Sequence, residues 1–284
     1  MNAPLPPLDT DSLRAAAARL PALPSVAVEL ITSLDAEEAD AESLAEIISR
    51  DQTLVARLLR IANSSFYGMP GRIHSIRDAI MLIGLRGVRS LAIAASLSGA
   101  LPRECPGLSL QHFWRHSTAT AIAAQELARR NRLPADLAFI AGLLHDIGRL
   151  ILANAYPEHS AAVQQHMAEV PCLCYEAEQQ ILGLDHADFG RIITGHWRFP
   201  APLVAAIGGH HDADAIGQDA LAACVHLADI LAAVIEPQPE HALFAAPPDE
   251  DAWRRLMPPE PEALAMCRTI QDQITANGEI FSVH

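Results

Sequence analysis

Between its prolines this chain sets Leu, Ala and Ile at three- and four-residue spacing, and nowhere does it alternate apolar with polar residues convincingly. That periodicity is the strongest constraint on its fold, because a stripe at such spacing can turn to one side only on a helix. In Thr53 to Ala62, for instance, Leu54, Leu58, Leu59 and Ile61 share a face. The apolar residues are mostly Ala and Leu, which are strong helix formers, while aromatics make up only 5% of the chain. The 20 prolines cluster at the apparent ends of the periodic segments. The predicted class is all-α.

The pattern also predicts an order of elements. A Pro-rich, frayed stretch (1–8) leads into a first helix capped by Asp9 or Asp11 and broken by Leu20-Pro21-Ala22-Leu23-Pro24. Short helices follow to about Leu97, with a loop over Asn63 to Arg72. Pro102, Pro106 and Gly107 mark a boundary between lobes. Beyond it the spacing predicts helices over Leu110–Asn131, Ala135–Asn154, Pro157–Ala168, Tyr175–Gly183, Ala187–Trp197, Ala201–His211 and Ala220–Ile235. A Pro- and acid-rich linker then precedes a last helix near Glu260–Ala276. The expected organisation is a flexible N-terminus and first helix (1–17), a main domain (18–235) of two lobes (18–105 and 106–235), and a linker with a C-terminal helix (236–284).

Half of the residues are hydrophobic, enough to bury a large core, so disorder along the whole chain is excluded. Lys and Arg number 20 and Asp and Glu 34, so the net charge is 20 − 34 = −14. Such an acid excess argues against nucleic-acid binding, which needs a basic face to displace counterions. Arg57, Arg60, Arg72, Arg77, Arg86 and Arg89 make the N-terminal half locally basic, a pattern usually found on a solvated face. No apolar run approaches the roughly 20 residues a membrane-spanning helix requires. Met1-Asn2-Ala3-Pro4 has no basic stretch and no apolar one after it, so no secretory signal is expected. Cys105, Cys172, Cys174, Cys224 and Cys267 are odd in number and lack zinc spacing, which points to reduced thiols and a cytoplasmic protein.

The chemistry gathers in the histidines. An apolar helix containing Leu143-Leu144 suddenly presents His145-Asp146, followed by Arg149. His112 and His116 are four apart on one face. His186, His210-His211 and His226 with Asp229 follow downstream. Imidazoles with one or two carboxylates suit Fe, Mn, Ni, Co or Zn better than Mg or Ca, which prefer oxygen shells. Each feature alone has an ordinary reading: a helix-face pair for His112/His116, a solvated helix end for His210-His211, a satisfied core or surface residue for His226. His74, His159, His166, His196, His241 and His284 read as surface residues.

Taken together, the order His116, His145-Asp146, His186, His210-His211, Asp229 resembles the HD superfamily of metal-dependent phosphohydrolases. The resemblance is closer to one branch, the HDOD (HD-related output domain) proteins of bacterial signalling. That branch is suggested by Leu20-Pro21-Ala22-Leu23-Pro24, Ile47-Ile48-Ser49-Arg50-Asp51, Leu58 through Gly68, Leu82-Ile83-Gly84-Leu85, Gly183-Leu184-Asp185-His186-Ala187, Trp197 and Pro200. It implies an all-helical, two-lobe domain acting as a regulatory output, with partners in two-component or cyclic di-GMP systems supplied in trans. It also implies one or two divalent transition metals on His116, His145, Asp146, His186, His210, His211 and Asp229. If the chain is an enzyme, Asp146 would bridge the metals and Arg149 would hold a phosphate of a nucleotide or phosphodiester. Two departures bear on this. The related HD-GYP phosphodiesterases have Lys where this chain has Arg149, and a fork replaces a point donor. Their Gly-Tyr-Pro motif after the paired His is absent here, where Asp212-Ala213-Asp214 stands instead. Cyclic di-GMP hydrolysis is therefore disfavoured.

Overall fold

Acidic caps and apolar stripes divide the chain into helices. The computed structural model describes residues 5–18, 23–33, 40–63, 72–100, 105, 107–237 and 247–277. Among the described residues there is no strand, and the helices are α1 Thr10–Ala17, α2 Ser25–Thr32, α3 Ala41–Ser49, α4 Gln52–Ala62, α5 Ile76–Ile83, α6 Leu85–Ala100, α7 Leu110–Arg130, α8 Ala135–Leu144, α9 Ile147–Ala155, α10 Pro157–Glu169, α11 Cys174–Leu182, α12 His186–His196, α13 Ala201–Gly209, α14 Ala213–Gln218, α15 Ala220–Ile235, α16 Glu250–Leu256 and α17 Glu262–Asn277. The all-α expectation holds. The segments Leu20 to Ala22 and Ser64 to Gly71, and His241 and His284, lie outside the described residues.

Helices α2 to α6 pack on one another, and α6 also packs on α8. Around α7 lie α8, α15 and α17, while α12 packs on α9 and α13. Helix α7 is buried on nearly every side, which its small residues Ser117, Ala119, Ala121, Ala123 and Ala124 permit. The core is continuous across both lobes, joining Leu30, Ile48 and Leu58 to Leu127, Leu143 and Leu227. A second cluster brings Leu8 and Leu13 against Leu182 and Phe189 and so docks α1 on α12. Each such leucine contributes about 1.5–3 kcal/mol on burial. The Leu8 amide donates to the Leu182 carbonyl at 2.9 Å, and the Tyr156 hydroxyl donates to the Ser12 carbonyl at 2.8 Å. The first helix thus lies at Thr10–Ala17, and Leu8, in the stretch expected to fray, packs beside it.

Three further expectations are corrected. The basic cluster is solvated at Arg60, Arg72, Arg77 and Arg86, but Arg89 is buried and donates to the Ser33 carbonyl at 2.6 Å, satisfying the C-terminal end of α2. Arg57 donates to the Ala95 carbonyl, and Arg77 pairs with Glu42. Short helices α14 and α16 occupy stretches expected to be irregular. Most important for the chemistry, the single helix expected over Ala135–Asn154 is two, broken at His145 and Asp146.

Candidate metal centre

That break decides how His145 and Asp146 are presented. On one continuous helix they would diverge by about 100°. Here His145 closes α8, Asp146 opens α9 with φ −92° and ψ 8°, and both side chains face the same buried space. Helix α9 then turns to meet α12. A Cβ on Gly148 would lie 1.9 Å from the His186 carbonyl oxygen, so only glycine allows the two helices to approach this closely.

Five further points of the chain supply the rest. His116 comes from the middle of α7 and Asp229 from α15; His186 is the first residue of α12; His210 and His211 follow the end of α13; Arg149 lies one turn into α9. All seven residues singled out as metal ligands thus meet in one cluster, with Arg149 at its edge. The His116 Nε2 lies 2.9 Å from Asp229 Oδ1, and His145 Nε2 lies 3.6 Å from the same oxygen and 3.6 Å from Asp146 Oδ1. Asp146 Oδ1 is also 3.1 Å from His186 Nε2, while its Oδ2 accepts from Arg149 Nη1 at 2.8 Å. His211 Nε2 faces His186 Nε2 at 3.0 Å. Besides a triad of Cys174, Glu178 and His186, two triads of donor atoms lie within 4.8 Å: His116, His145 and Asp146, and His186, His210 and His211. Asp146 touches both.

The far sides of the rings are as informative. His145 Nδ1 lies 2.8 Å from the Gly142 carbonyl, His210 Nδ1 2.8 Å from the Ile207 carbonyl, and His186 Nδ1 2.6 Å from Glu178 Oε2. A ring nitrogen beside an acceptor of this kind carries the proton, so in the neutral ring the lone pair sits on Nε2 and points inward. His145 Nε2 and His210 Nε2 are buried and make no hydrogen bond. Buried nitrogens without a partner are costly, and a cation would satisfy them. The donor set therefore fits a transition metal.

Glu178 was not anticipated from the sequence. It sits on the apolar stripe of α11 beside Cys174, Ala177 and Leu182, where an unpaired carboxylate would be costly. It accepts from both the backbone amide and the ring of His186, at 2.8 and 2.6 Å, and Cys174 Sγ donates to it. His226, read as a satisfied core or surface histidine, is a buried one: Nδ1 donates to the His210 carbonyl at 2.9 Å, and Nε2 accepts from the Asp249 amide at 3.1 Å. His112 lies outside the donor triads.

Burial alone would raise the Asp146 pKa, but His145, Arg149 and His186 reverse it and hold the carboxyl well below its usual range. Asp229 behaves alike, with burial opposed by the neighbouring His116 and His145. Burial disfavours a charged His186, yet Glu178 and Asp146 outweigh it and raise the pKa well above the ordinary imidazole value. His145 is raised too, Asp146 and Asp229 overcoming its burial. Burial, together with the neighbouring His145 and His186, drives His210 down to about 3, and burial with His210 and His186 lowers His211.

The sequence pattern of the HDOD domain matches residues 20–213, more than half of the chain. The chain belongs to the HDOD family. A protein of Shewanella amazonensis, assigned to the phosphohydrolases by name only, is 26% identical and superposes with a TM-score of 0.76, covering 95% of this chain and 98% of its own. A Marinobacter aquaeolei protein, assigned by name to signal transduction, shares the fold at 24% identity and a TM-score of 0.78, over 96% of this HDOD chain and 65% of its own. An uncharacterised protein of Treponema pallidum is 27% identical over 195 residues, which are 68% of this chain but only 38% of that protein. The chain thus spans well under half of that relative's length. No helix among the described residues is long and apolar enough to cross a membrane.

Proposed function

We propose that this HDOD protein is a cytoplasmic signalling output that acts through protein partners in trans and carries one or two divalent transition metals at the His/Asp cluster. The observation that carries the reading is the set of imidazoles fixed through Nδ1, with the buried Nε2 atoms of His145 and His210 turned inward and unsatisfied. His116, His145 and Asp229 would hold one ion and His186, His210 and His211 the other, with Asp146 between them. The ion is Fe, Mn, Ni, Co or Zn, as the nitrogen-rich set favours. Residues 18–235 form the signalling domain in this reading, with partners drawn from two-component or cyclic di-GMP systems.

Arg149 beside Asp146 favours a second reading, a phosphohydrolase acting on a nucleotide or phosphodiester. A bound metal there would supply an activated water and neutralise phosphoryl charge. Arg149 would hold a phosphate oxygen through its fork, and the buried walls would exclude bulk water. Cyclic di-GMP is the less favoured substrate because Gly-Tyr-Pro is absent.

Metal content of protein purified without chelator or tag tests both readings. One or two equivalents of transition metal, lost in His145→Ala, is the expected result; a folded, metal-free wild-type protein overturns the metal centre. Turnover of a nucleotide panel by loaded protein, absent in Asp146→Ala, would select the second reading over the first.

A further inference from the structure

Behind the cluster, between α9, α10, α11 and the start of α7, lies a cavity of about 420 Å³. That volume is in the range of pockets that bury one small organic molecule. One face of α10 forms a wall of it, since Ser160, Val163, Gln164, Met167 and Ala168 recur at helical spacing. The rim is exposed at Gln164 and Ala168, while Leu152, Val163 and Glu178 are buried below it. The Gln164 side-chain amide donates to the Gly107 carbonyl at 2.7 Å and ties the rim together. Most of the lining is apolar, and its two charged residues, Arg149 and Glu178, are already paired. Arg149 Nη1 donates to Asp146 Oδ2 at 2.8 Å. Glu178 accepts from the amide and the ring of His186 and from Cys174 Sγ. The two opposite charges also lie close enough to act on each other. A charged guest would therefore leave water without meeting a free counter-charge, which is costly. What the lining still offers is the half-buried Ser160 hydroxyl, which makes no hydrogen bond among the described residues.

We propose that this cavity binds one uncharged small organic molecule, an aliphatic or aromatic body bearing a hydroxyl or carbonyl oxygen that accepts from Ser160. Burial of the body against Leu152, Val163 and Met167 supplies affinity, and the lack of any unpaired charge on the wall supplies the preference for a neutral guest. The site does not rest on the metal reading, since the cavity walls are protein alone.

Calorimetric titration of the full chain with 1-octanol, octanoate and octylammonium tests the proposal, with chelator and after metal loading. Expected are one equivalent of octanol and binding of each ion weaker by about tenfold or more. Ala168 is an exposed residue of the lining, so Ala168→Trp should block the cavity without unfolding the chain. It should weaken octanol binding by about tenfold or more while leaving metal content unchanged. Ser160→Ala, which keeps the apolar wall, should weaken octanol binding about 2- to 10-fold through the lost hydrogen bond. No binding of octanol, equal binding of either ion, or octanol binding left unaltered by either variant each overturns the proposal. Octanol binding by a protein that takes up no metal would leave it standing while the metal reading fell.

Discussion

At the scale of single residues, the cluster is defined as much by what stands behind the imidazoles as by the imidazoles themselves. The order of His and Asp along the chain was legible because chemistry-bearing residues interrupt apolar runs, as His145-Asp146 does after Leu143-Leu144. Glu178 was not legible in the same way, since a lone Glu in a helix is ordinary until its face is known. The signal was its place on the apolar stripe of α11 with Cys174 and Leu182, where a carboxylate must have a buried partner. That partner makes a prediction. Glu178→Gln keeps an oxygen that can accept from His186 Nδ1 but removes the charge that makes the ring a stronger donor to a metal. Metal affinity, read by competition with a chelator, should fall about 10- to 100-fold while the fold persists. Unchanged affinity would show that the Glu178 charge does nothing for the ligand it touches.

At the scale of helices, the acid excess that argued against nucleic acid has a structural use. Seven aspartates, Asp9, Asp40, Asp51, Asp185, Asp212, Asp219 and Asp249, accept backbone amides at helix N-termini. Each replaces a lost intrahelical bond and complements the helix dipole, at about 1 kcal/mol apiece. Two of them begin α14 and α16, helices of six and seven residues that are too short to show a repeating stripe, which is why periodicity passed over them. The break between α8 and α9 was hidden for the opposite reason: residues on both sides of it are buried, so the apolar pattern runs through without a gap. What enforces the break is tertiary, the contact of Gly148 with the start of α12. Gly148→Ala should therefore push α9 away from His186, lowering stability by about 1–3 kcal/mol in urea denaturation and weakening metal uptake in parallel. A variant as stable as the wild type would mean that α9 does not need this contact to turn.

At the scale of the whole molecule, the cluster ties together helices from His116 on α7 to Asp229 on α15, so proton and metal occupancy should govern global stability. Without metal, two opposed trends follow from the titrations. His210, with a pKa lowered to about 3 from an ordinary 6.5, binds its proton only in the unfolded chain between those values. Stability is therefore lost as pH falls from about 6.5 towards 3, with His211 acting in the same direction, and the depressed Asp146 and Asp229 add to the loss at still lower pH. His145 and His186 are raised, so their contribution is full below 6.5 and is lost as pH climbs through their folded-state pKa values. The metal-free protein should thus be most stable near or slightly below neutrality. A bound cation takes the place of the protons on His145 and His186, so loading should flatten the alkaline decline. It competes with protons for every imidazole, so loading should also steepen the acid one. Because only the folded chain presents the full donor set, metal at about 100 times its Kd adds about 2.7 kcal/mol at neutral pH. Melting temperature followed against pH, with chelator and with metal, should give two curves that diverge above neutrality and converge in acid. Parallel curves would show that metal, if taken up at all, is held away from these histidines.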